Sequence, residues 1–190
     1  MIITLSGLDG SGKSTQIEFL KNYLKSKDKT FFYFHAVEFS FGNKILGKKK
    51  NKVGKEISVE KASWLKIFLR KVGLLIDIFR FRRLAKKLKV DYIISDRYFY
   101  DSVVNINFLS GKKSKLCAEK YISKPDFAFY IDVNPETIMQ RERKPDQGME
   151  YLKAKEKLFE CKIKNWDMMV LNGERDKNEI FSEIKSKINV

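Results

Sequence analysis

The sequence predicts one α/β domain, with a mainly parallel five-stranded sheet and helices on both of its faces. Short apolar runs recur along the chain, at residues 2–5, 30–37, 92–95, 127–133 and 168–171. These runs are nearly continuously apolar rather than alternating, which is typical of parallel strands that helices cover on both sides. Longer helical patterns lie between or after them, at residues 60–89, 149–165 and 176–189. Strand and helix therefore alternate, as an α/β fold requires.

The size and composition of the chain fit a single folded domain over residues 1–190. The chain is 43% hydrophobic and 13% aromatic, which supplies one buried core and argues against global disorder. The most apolar stretch, residues 64–81, is interrupted by five charged side chains. It therefore falls short of the roughly 20 apolar residues that a membrane span needs, and we expect a soluble protein.

Cysteine and histidine usage, together with the N-terminus, predicts a cytoplasmic protein. Two cysteines, Cys117 and Cys161, cannot build a disulfide framework, and the single histidine, His35, leaves no Cys/His metal cluster. The first apolar run has no basic region before it and meets glycine at once, unlike a signal peptide. A reducing compartment is the expected location.

The first apolar run leads into a glycine-rich turn that matches the phosphate-binding pattern GxxxxGK[ST]. Its glycines let successive backbone N–H groups face inward around phosphate oxygens, and the helix that follows presents its positive end. Lys13 is predicted to reach the β- and γ-phosphates of ATP, and the Ser14 hydroxyl to bind Mg²⁺. The predicted phosphate-binding residues are Gly7, Leu8, Asp9, Gly10, Ser11, Gly12, Lys13, Ser14 and Thr15.

The third apolar run is followed directly by Asp96, Arg97 and Tyr98. In open α/β sheets, ligands bind at the carboxyl ends of the strands, so Asp96 and Arg97 are expected to face the same crevice as Lys13. A carboxylate there holds Mg²⁺ through water, and an arginine beside it grips a second phosphate. A solvated ion pair at a strand end is the alternative interpretation.

A third group of charges, Arg141, Arg143 and Lys144, lies where a helical pattern meets an irregular segment. Asn134 and Pro135 start that helix as cap and first helical residue. Arginines on a closing loop neutralise the migrating phosphoryl group and exclude water, so we expect a short lid at about residues 141–150. Taken alone, the cluster also fits a solvated helix end.

These motifs, in order along the chain, resemble those of the thymidylate kinases, which are P-loop nucleoside monophosphate kinases. The resemblance is strongest in SGLDGSGKSTQ at the N-terminus and in PDFAFYIDVNPE at residues 125–136, and it includes DRYFYDS at residues 96–102. It implies the three-layer P-loop NTPase fold with a short lid. It also implies an ATP- and Mg²⁺-dependent homodimeric enzyme that converts dTMP to dTDP for dTTP biosynthesis.

The resemblance assigns roles to individual residues. It places Asp9 near the sugar of the bound nucleotide, and it gives Lys13 and Ser14 to the ATP phosphates and Mg²⁺. It gives Asp96 and Arg97 to the metal and the phosphate of the acceptor.

The resemblance also assigns residues to the lid and to recognition of the acceptor's nucleobase. The resemblance implies that Arg141 and Arg143 act on the transferred phosphoryl group, so that the expected catalytic residues are Lys13, Arg97, Arg141 and Arg143. The P-loop lacks a basic residue at Gly10 and Ser11, which fits family members that carry it in the lid. The arginine that reads the thymine edge is assigned to Arg80, with Arg82 and Arg83 as alternatives. The expected acceptor-binding residues are Asp9, Arg80, Asp96 and Arg97.

The departures from the family pattern concern the acceptor. The segment from His35 to Phe39 lacks the arginine and proline that usually follow the second strand. After the Asp-Arg-Tyr element, Asp101, Val104, Asn105 and Ile106 replace a serine and an Ala-Tyr-Gln-like run. A kinase of the same fold acting on another small acceptor is therefore the main alternative.

The net charge of +15 suggests an alternative from another class, a non-metabolic NTP-binding protein that binds nucleic acid or a membrane surface. The charge is concentrated at residues 48–55, 80–89 and 111–115. Because no nucleic-acid-binding motif accompanies these patches, a solvated lysine-rich surface is the favoured interpretation. Residues 64–81 are amphipathic, and we expect a core or dimer-interface helix there rather than a helix on a membrane.

Overall fold

The computed structural model describes residues 1–40, 64–111, 115–142 and 145–188. Its strands form one five-stranded sheet in the order β2-β3-β1-β4-β5, and each neighbouring pair runs parallel. The predicted parallel sheet is therefore confirmed. The strands are β1 (Ile2–Gly7), β2 (Phe31–His35), β3 (Tyr92–Asp96), β4 (Phe127–Asp132) and β5 (Met169–Asn172).

Helices surround this sheet, as predicted for the three-layer fold. Helix α1 packs against α7, while α4 packs against both α3 and α6. No helix in the described ranges is long and apolar enough to cross a membrane. The helices are α1 (Lys13–Ser26), α2 (Ala36–Phe39), α3 (Trp64–Lys87), α4 (Phe99–Ser110), α5 (Pro135–Gln140), α6 (Gly148–Ile163) and α7 (Lys177–Ile188), with a 3-10 helix at Cys117–Tyr121.

The three long helical patterns predicted from the sequence correspond to α3, α6 and α7. Residues 60–63 of the first pattern and residue 189 of the last lie outside the described residues. The basic patch at 48–55 and residues 112–114 of the basic patch at 111–115 also lie outside them. Cys117 and Cys161 are free thiols. No disulfide therefore constrains the arrangement of these elements.

Strand β1 lies at the centre of the sheet and fixes the position of the site. Its residues from Ile3 to Gly7 are all buried, and β3 beside it is buried throughout. Leu5 pairs in register with Asp96, and Gly7 pairs with Ile131. The carboxyl ends of β1 and β3 therefore open into one crevice, where α/β sheets bind their ligands.

The second strand ends two residues earlier than the sequence predicts. His35 stops it by capping α2, because its Nδ1 accepts the backbone N–H of Glu38 at 3.4 Å. The N–H of Ala36 leaves the sheet and donates to the carbonyl of Arg97 at 3.3 Å. The chain after β2 therefore turns across the crevice, next to the residues that follow β3.

An aromatic cluster joins α3 to the sheet. Phe81 of α3 is fully buried, and its ring centroid lies 4.6 Å from that of Phe34 on β2 and 5.4 Å from that of Phe99 on α4. Tyr98 closes the cluster at 5.6 Å from Phe81. Because Tyr98 and Phe99 directly follow Arg97, this packing fixes the backbone that carries the crevice arginine.

We predict that Phe81→Ala lowers the free energy of unfolding by about 3 to 5 kcal/mol, the usual cost of removing a fully buried phenylalanine. Arg82→Ala, on the exposed side of the same helix, should change it by no more than about 0.5 kcal/mol. Urea denaturation followed by circular dichroism measures both values. A loss below about 1 kcal/mol for Phe81→Ala would contradict the role given to the cluster.

Candidate active site

The loop between β1 and α1 forms a cradle of backbone N–H groups. Gly10 (φ 86°) and Gly12 (φ 95°) occupy the left-handed region, which favours glycine. The N–H of Ser11 donates back to the carbonyl of Leu8 at 3.1 Å, which closes the turn. Gly12 is the N-cap residue of α1, and no side chain in the described part of the chain hydrogen-bonds to the N–H groups at this end of the helix. The first N–H groups of α1 are therefore suited to bind an anion.

Gly7 is required at the end of β1 by both space and backbone geometry. It has φ 150°, and a Cβ added there would lie 2.7 Å from the carbonyl oxygen of Ile131 and 2.8 Å from the Oγ of Ser11. Any side chain at Gly7 would push β4 or the phosphate loop aside. The first glycine of the motif therefore seats the loop against the neighbouring strand.

The Lys13 side chain folds back over its own loop. Its Nζ donates to the carbonyls of Gly7 at 3.1 Å and Leu8 at 2.6 Å, and to the Oγ of Ser11 at 3.3 Å. Burial lowers the pKa of Lys13, and the carboxylates of Asp101 and Asp96 act in the opposite direction. The ammonium is thus held by neutral oxygens, which phosphate oxygens can replace.

An ion pair ties the phosphate loop to the end of β3. The guanidinium of Arg97 donates to the carboxylate of Asp9, although 88 residues separate them in sequence. Tyr151 of α6 donates from its hydroxyl to the other oxygen of Asp9 at 3.0 Å. Asp9 therefore joins three elements of the crevice, and Arg97 is oriented next to the phosphate loop.

The backbone of Arg97 is held in an unusual conformation. Its φ is 57°, a left-handed value that costs a non-glycine residue ~1–3 kcal/mol. Its N–H donates to the carbonyl of Leu5 at 3.1 Å, and its carbonyl accepts from Ala36 at 3.3 Å. These two bonds offset the strain and turn the side chain towards the crevice rather than along β3.

Two oxygen donors assigned to Mg²⁺ lie at the ends of their elements. Ser14 is exposed in the first turn of α1, and Asp96 is buried at the end of β3. Tyr33 donates to Asp96 at 3.4 Å, and burial followed by the Asp96 charge raises the pKa of Tyr33 to about 12. Within the described residues no group of three or more His, Cys, Asp or Glu side chains is placed to hold a metal. The hydroxyl of Ser14 and the carboxylate of Asp96 are oxygen donors of the kind that Mg²⁺ takes, one or two from the protein together with phosphates and water.

A second buried carboxylate lies beneath the crevice. Asp101 of α4 accepts a hydrogen bond from the hydroxyl of Ser6 at 2.6 Å, and its other oxygen has no partner among the described residues. Burial raises its pKa, while Arg97, Ser6, Lys13 and Lys155 act to lower it. Asp101 therefore links α4 to the strand that carries the phosphate loop.

Arg141, at the end of α5, reaches across to the phosphate loop. It donates to the carbonyl of Gly10 at 2.6 Å and to the carbonyl of Gly173, after β5, at 3.3 Å. Arg143, its predicted partner, lies outside the described residues together with Lys144. Arg141 also borders a groove on the loop's outer side, lined by Ser11, Gly12, Thr15, Gln16, Ile131, Gly173, Arg175, Lys177 and Ile180.

A separate cavity lies between α2, α3 and α4. It contains one arginine of α3, Arg70, whose buried Nε has no hydrogen-bond partner in the described part of the chain. Asp77 lies two helical turns further along α3 and also lines the cavity. The remaining lining residues are Ala36, Val37, Ser40, Leu74, Phe99, Ser102, Asn105 and Ile106.

Arg80, the arginine assigned to the acceptor base, lies beside this cavity and is not among the described residues that line it. It pairs with Asp77 at 2.8 Å and donates to the carbonyl of Phe39 at 3.2 Å. Arg82 and Arg83 are exposed on the outer side of α3. Arg80 therefore supports the cavity wall through Asp77, and Arg70 is the arginine that faces the space.

Sequence reasoning missed several of these residues for different reasons. Arg70 and Asp77 are seven positions apart and so share one face of a helix, a signal that was available in the sequence. Tyr151 and Lys155 share a face of α6 at a spacing of four, but their partners lie on distant segments. The pairing of Ser6 with Asp101 carries no local sequence signal.

A family model and two relatives of similar sequence identify the same family. The family model for thymidylate kinase matches residues 5–184. A thymidylate kinase from Thermosipho africanus is 27% identical over 205 residues, covering 98% of this chain and 96% of that protein. A probable thymidylate kinase from Archaeoglobus fulgidus is 26% identical over 198 residues, covering 99% of this chain and 94% of its own length.

Solved structures share the fold over the whole chain. Thymidylate kinase from Ehrlichia chaffeensis superposes with a TM-score of 0.63 at 17% identity, covering 100% of this chain and 98% of its own. Deoxyadenosine kinase from M. mycoides, solved with bound dATP, superposes with a TM-score of 0.62 at 18% identity and full coverage of both chains. With a family model that spans nearly all of its residues, this chain belongs to the thymidylate kinase family.

Proposed function

We propose that this protein transfers the γ-phosphoryl group of ATP to dTMP, giving dTDP, in the crevice at the carboxyl ends of β1 and β3. One observation carries the proposal beyond family membership. A single crevice brings together the phosphate loop with Lys13, the Asp9–Arg97 ion pair and the Asp96 carboxylate. Phosphoryl transfer depends mainly on positioning and on charge neutralisation, and these groups supply both.

The donor side is formed by the phosphate loop and α1. The backbone N–H groups around Gly10 and Gly12 bind the ATP phosphates, and the ammonium of Lys13 exchanges its loop carbonyls for phosphate oxygens. Ser14 and Asp96 are the oxygen donors that would hold Mg²⁺, which neutralises phosphate charge when it is bound. Because the Lys13 ammonium is already removed from water in the free protein, replacing loop carbonyls with phosphate oxygens costs little additional desolvation.

The acceptor side begins at Arg97 and extends into the cavity beside α3. Asp9 orients Arg97, and the guanidinium of Arg97 holds the phosphate of dTMP. The planar fork of a guanidinium matches two phosphate oxygens at once. The base enters the cavity, where the side chain of Arg70 offers N–H donors to a carbonyl oxygen of the base. The acceptor phosphate therefore lies next to the donor loop, as in-line transfer requires.

A panel of acceptors tests the reaction and its specificity. ADP release is measured by a coupled assay with dTMP, dUMP, UMP, CMP, AMP and deoxyadenosine, each at saturating ATP. We predict turnover of dTMP that is slow or shared with another monophosphate, because the segment His35 to Phe39 lacks the usual arginine and proline. High activity on dTMP alone would show that these departures are harmless. Absence of activity on every monophosphate would contradict the proposed function and favour another acceptor.

We predict that Arg70→Met raises KM for the acceptor by roughly 10- to 100-fold and leaves KM for ATP unchanged, since a hydrogen bond from a charged donor contributes about 1.5–3 kcal/mol. Arg82→Met is the matched control on the exposed side of α3. Steady-state kinetics with each substrate varied in turn separates the two constants. An unchanged acceptor KM for Arg70→Met would remove Arg70 from the acceptor site.

The lid arginines are proposed to act on the transferred group. Arg141→Ala should lower kcat by at least roughly 10³-fold, the lower end of what such arginines contribute, with a smaller effect on ATP affinity. Glu142→Ala, at the exposed neighbouring position, is the control. If Arg141→Ala lowered only thermal stability, its contacts with Gly10 and Gly173 would be its whole role.

We also propose a cytoplasmic homodimer that uses the outer face of α3. Trp64 is 77% exposed, Phe68 54% and Phe79 48%, values unusual for large apolar side chains. They belong to a continuous stripe that also includes Leu65, Leu69, Val72 and Ile76. A stripe of this length marks an interaction surface, and the family resemblance favours a second copy over nucleic acid or membrane as its partner.

Phe68→Lys should therefore shift the protein from dimer to monomer in sedimentation velocity, because it places a charge inside the proposed interface. Lys66→Ala lies on the opposite side of the helix and should leave the dimer intact. A wild-type protein that sediments as a monomer at tens of micromolar would contradict the proposal.

A further inference from the structure

A buried lysine of α6, Lys155, lies near the charged residues of the crevice and has no part in the mechanism described so far. It is only 4% exposed, whereas Lys153 and Lys157 on the same helix are exposed. It lies one helical turn after Tyr151, and its Nζ is 4.7 Å from the centroid of that ring. Since Tyr151 contacts Asp9, the same face of α6 that closes the Asp9–Arg97 pair also carries this ammonium into the site.

Other buried lysines of the described chain are held by oxygen atoms. Lys13 donates to two carbonyls and a hydroxyl, and Lys162, on the same helix as Lys155, pairs with Glu119 at 2.9 Å. Lys155 has no hydrogen bond and no ion pair among the described residues, and its ammonium lies over the face of the Tyr151 ring. An ammonium has three donors, and taking one out of water without an acceptor in the chain is costly. The donors of Lys155 are therefore available to an acceptor from outside the chain.

The charges around Lys155 indicate what that acceptor is. Arg97 and Lys13 face it as cations, and Asp101 faces it as a carboxylate. Arg97 is the residue proposed to hold the acceptor phosphate, and Lys13 belongs to the donor loop. Lys155 has no hydrogen bond or ion pair among the described residues, and the two cations that act on it are those proposed to bind phosphates, so its ammonium is suited to a phosphate oxygen.

We propose that Lys155 is an additional phosphate-binding residue on the acceptor side, and that its ammonium holds an oxygen of the monophosphate together with Arg97. This inference rests on the proposed function, because it takes the crevice to bind a nucleoside monophosphate. It adds a cation whose charge depends on whether the substrate is present. Asp101 and Ser6 beneath it keep α4 and β1 in place around the same phosphate.

The protonation state of Lys155 in the free protein follows from its burial. Desolvation, followed by repulsion from Arg97, lowers the pKa of Lys155 to about 7, and the Asp101 carboxylate opposes this only in part. Lys155 is therefore largely neutral at pH 8 in the free protein. A bound phosphate dianion raises the pKa again, because an opposite charge nearby favours the ammonium. Binding of the acceptor must then take up a proton.

Calorimetry of the wild-type protein measures this uptake directly. dTMP is titrated at pH 8 in two buffers of different ionisation enthalpy, and the difference in heat gives the number of protons bound. The phosphate has a second pKa of about 6 and is already dianionic at pH 8, so it contributes little itself. We expect uptake approaching one proton with dTMP and none with thymidine, which lacks the phosphate.

Variants assign the proton and the binding to Lys155. Lys155→Met should weaken dTMP binding roughly 10- to 100-fold and abolish the proton uptake, with little change for thymidine or ATP. Lys155→Arg, which stays charged, should keep much of the affinity but lose the uptake. Lys157→Met, on the exposed side of α6, is the matched control. Lys155→Met should also be at least as stable as the wild type at pH 7, since it removes a desolvated cation.

The outcomes separate this inference from the function on which it rests. Wild-type protein that binds dTMP without proton uptake, or Lys155→Met that binds dTMP as tightly as the wild type, would overturn the role of Lys155 alone. A larger loss for ATP than for dTMP would place Lys155 on the transferred phosphate and overturn the acceptor assignment. Wild-type protein that binds no nucleoside monophosphate would overturn the proposed function and this inference with it.

Discussion

The parallel direction of all five strands is the constraint on which the rest of the structure depends. Because each strand ends at the same edge, the turn after β1 and the turn after β3 open into one crevice. The hydrogen bond from the N–H of Arg97 to the carbonyl of Leu5, at 3.1 Å, joins the turn after β3 to β1, and the Asp9–Arg97 ion pair joins the side chains of the two turns. The phosphate loop and Arg97 are thereby held together before any substrate binds.

Charges of both signs meet inside the crevice of the free protein. The cations Lys13 and Arg97 lie near the carboxylates Asp9, Asp96 and Asp101, while the neighbouring Lys155 is largely neutral at pH 8, and these side chains are buried or half-buried. Buried charges need partners, so removal of one member leaves its neighbours uncompensated. Substrate phosphates then replace internal partners instead of entering an empty site. The lowered pKa of Lys155 provides one more positive charge when the anions arrive.

The parts of this site that the sequence predicts are local or follow from strand order. The phosphate loop is a contiguous motif, so Gly7 to Ser14 can be read directly, and the meeting of Asp96 with this loop follows from two parallel strand ends. Contacts that depend on how a helix is rotated against the sheet leave no such signal. Tyr151 and Lys155 belong to this class, since their orientation depends on the packing of α6 against α4. The second strand ends two residues before its predicted end because the capping of α2 by His35 depends on geometry that apolarity does not encode.

Substitution of Lys13 tests the central claim, phosphoryl transfer at this crevice, most directly. Lys13→Met preserves the length of the side chain and most of its burial but removes the ammonium that would hold the transferred phosphate. Turnover of ATP and dTMP is measured beside the circular dichroism spectrum and the thermal midpoint of each protein. The account predicts a folded variant whose kcat falls by at least roughly 10²- to 10³-fold, the effect of removing one preorganised donor. A folded Lys13→Met protein with near wild-type turnover would contradict it.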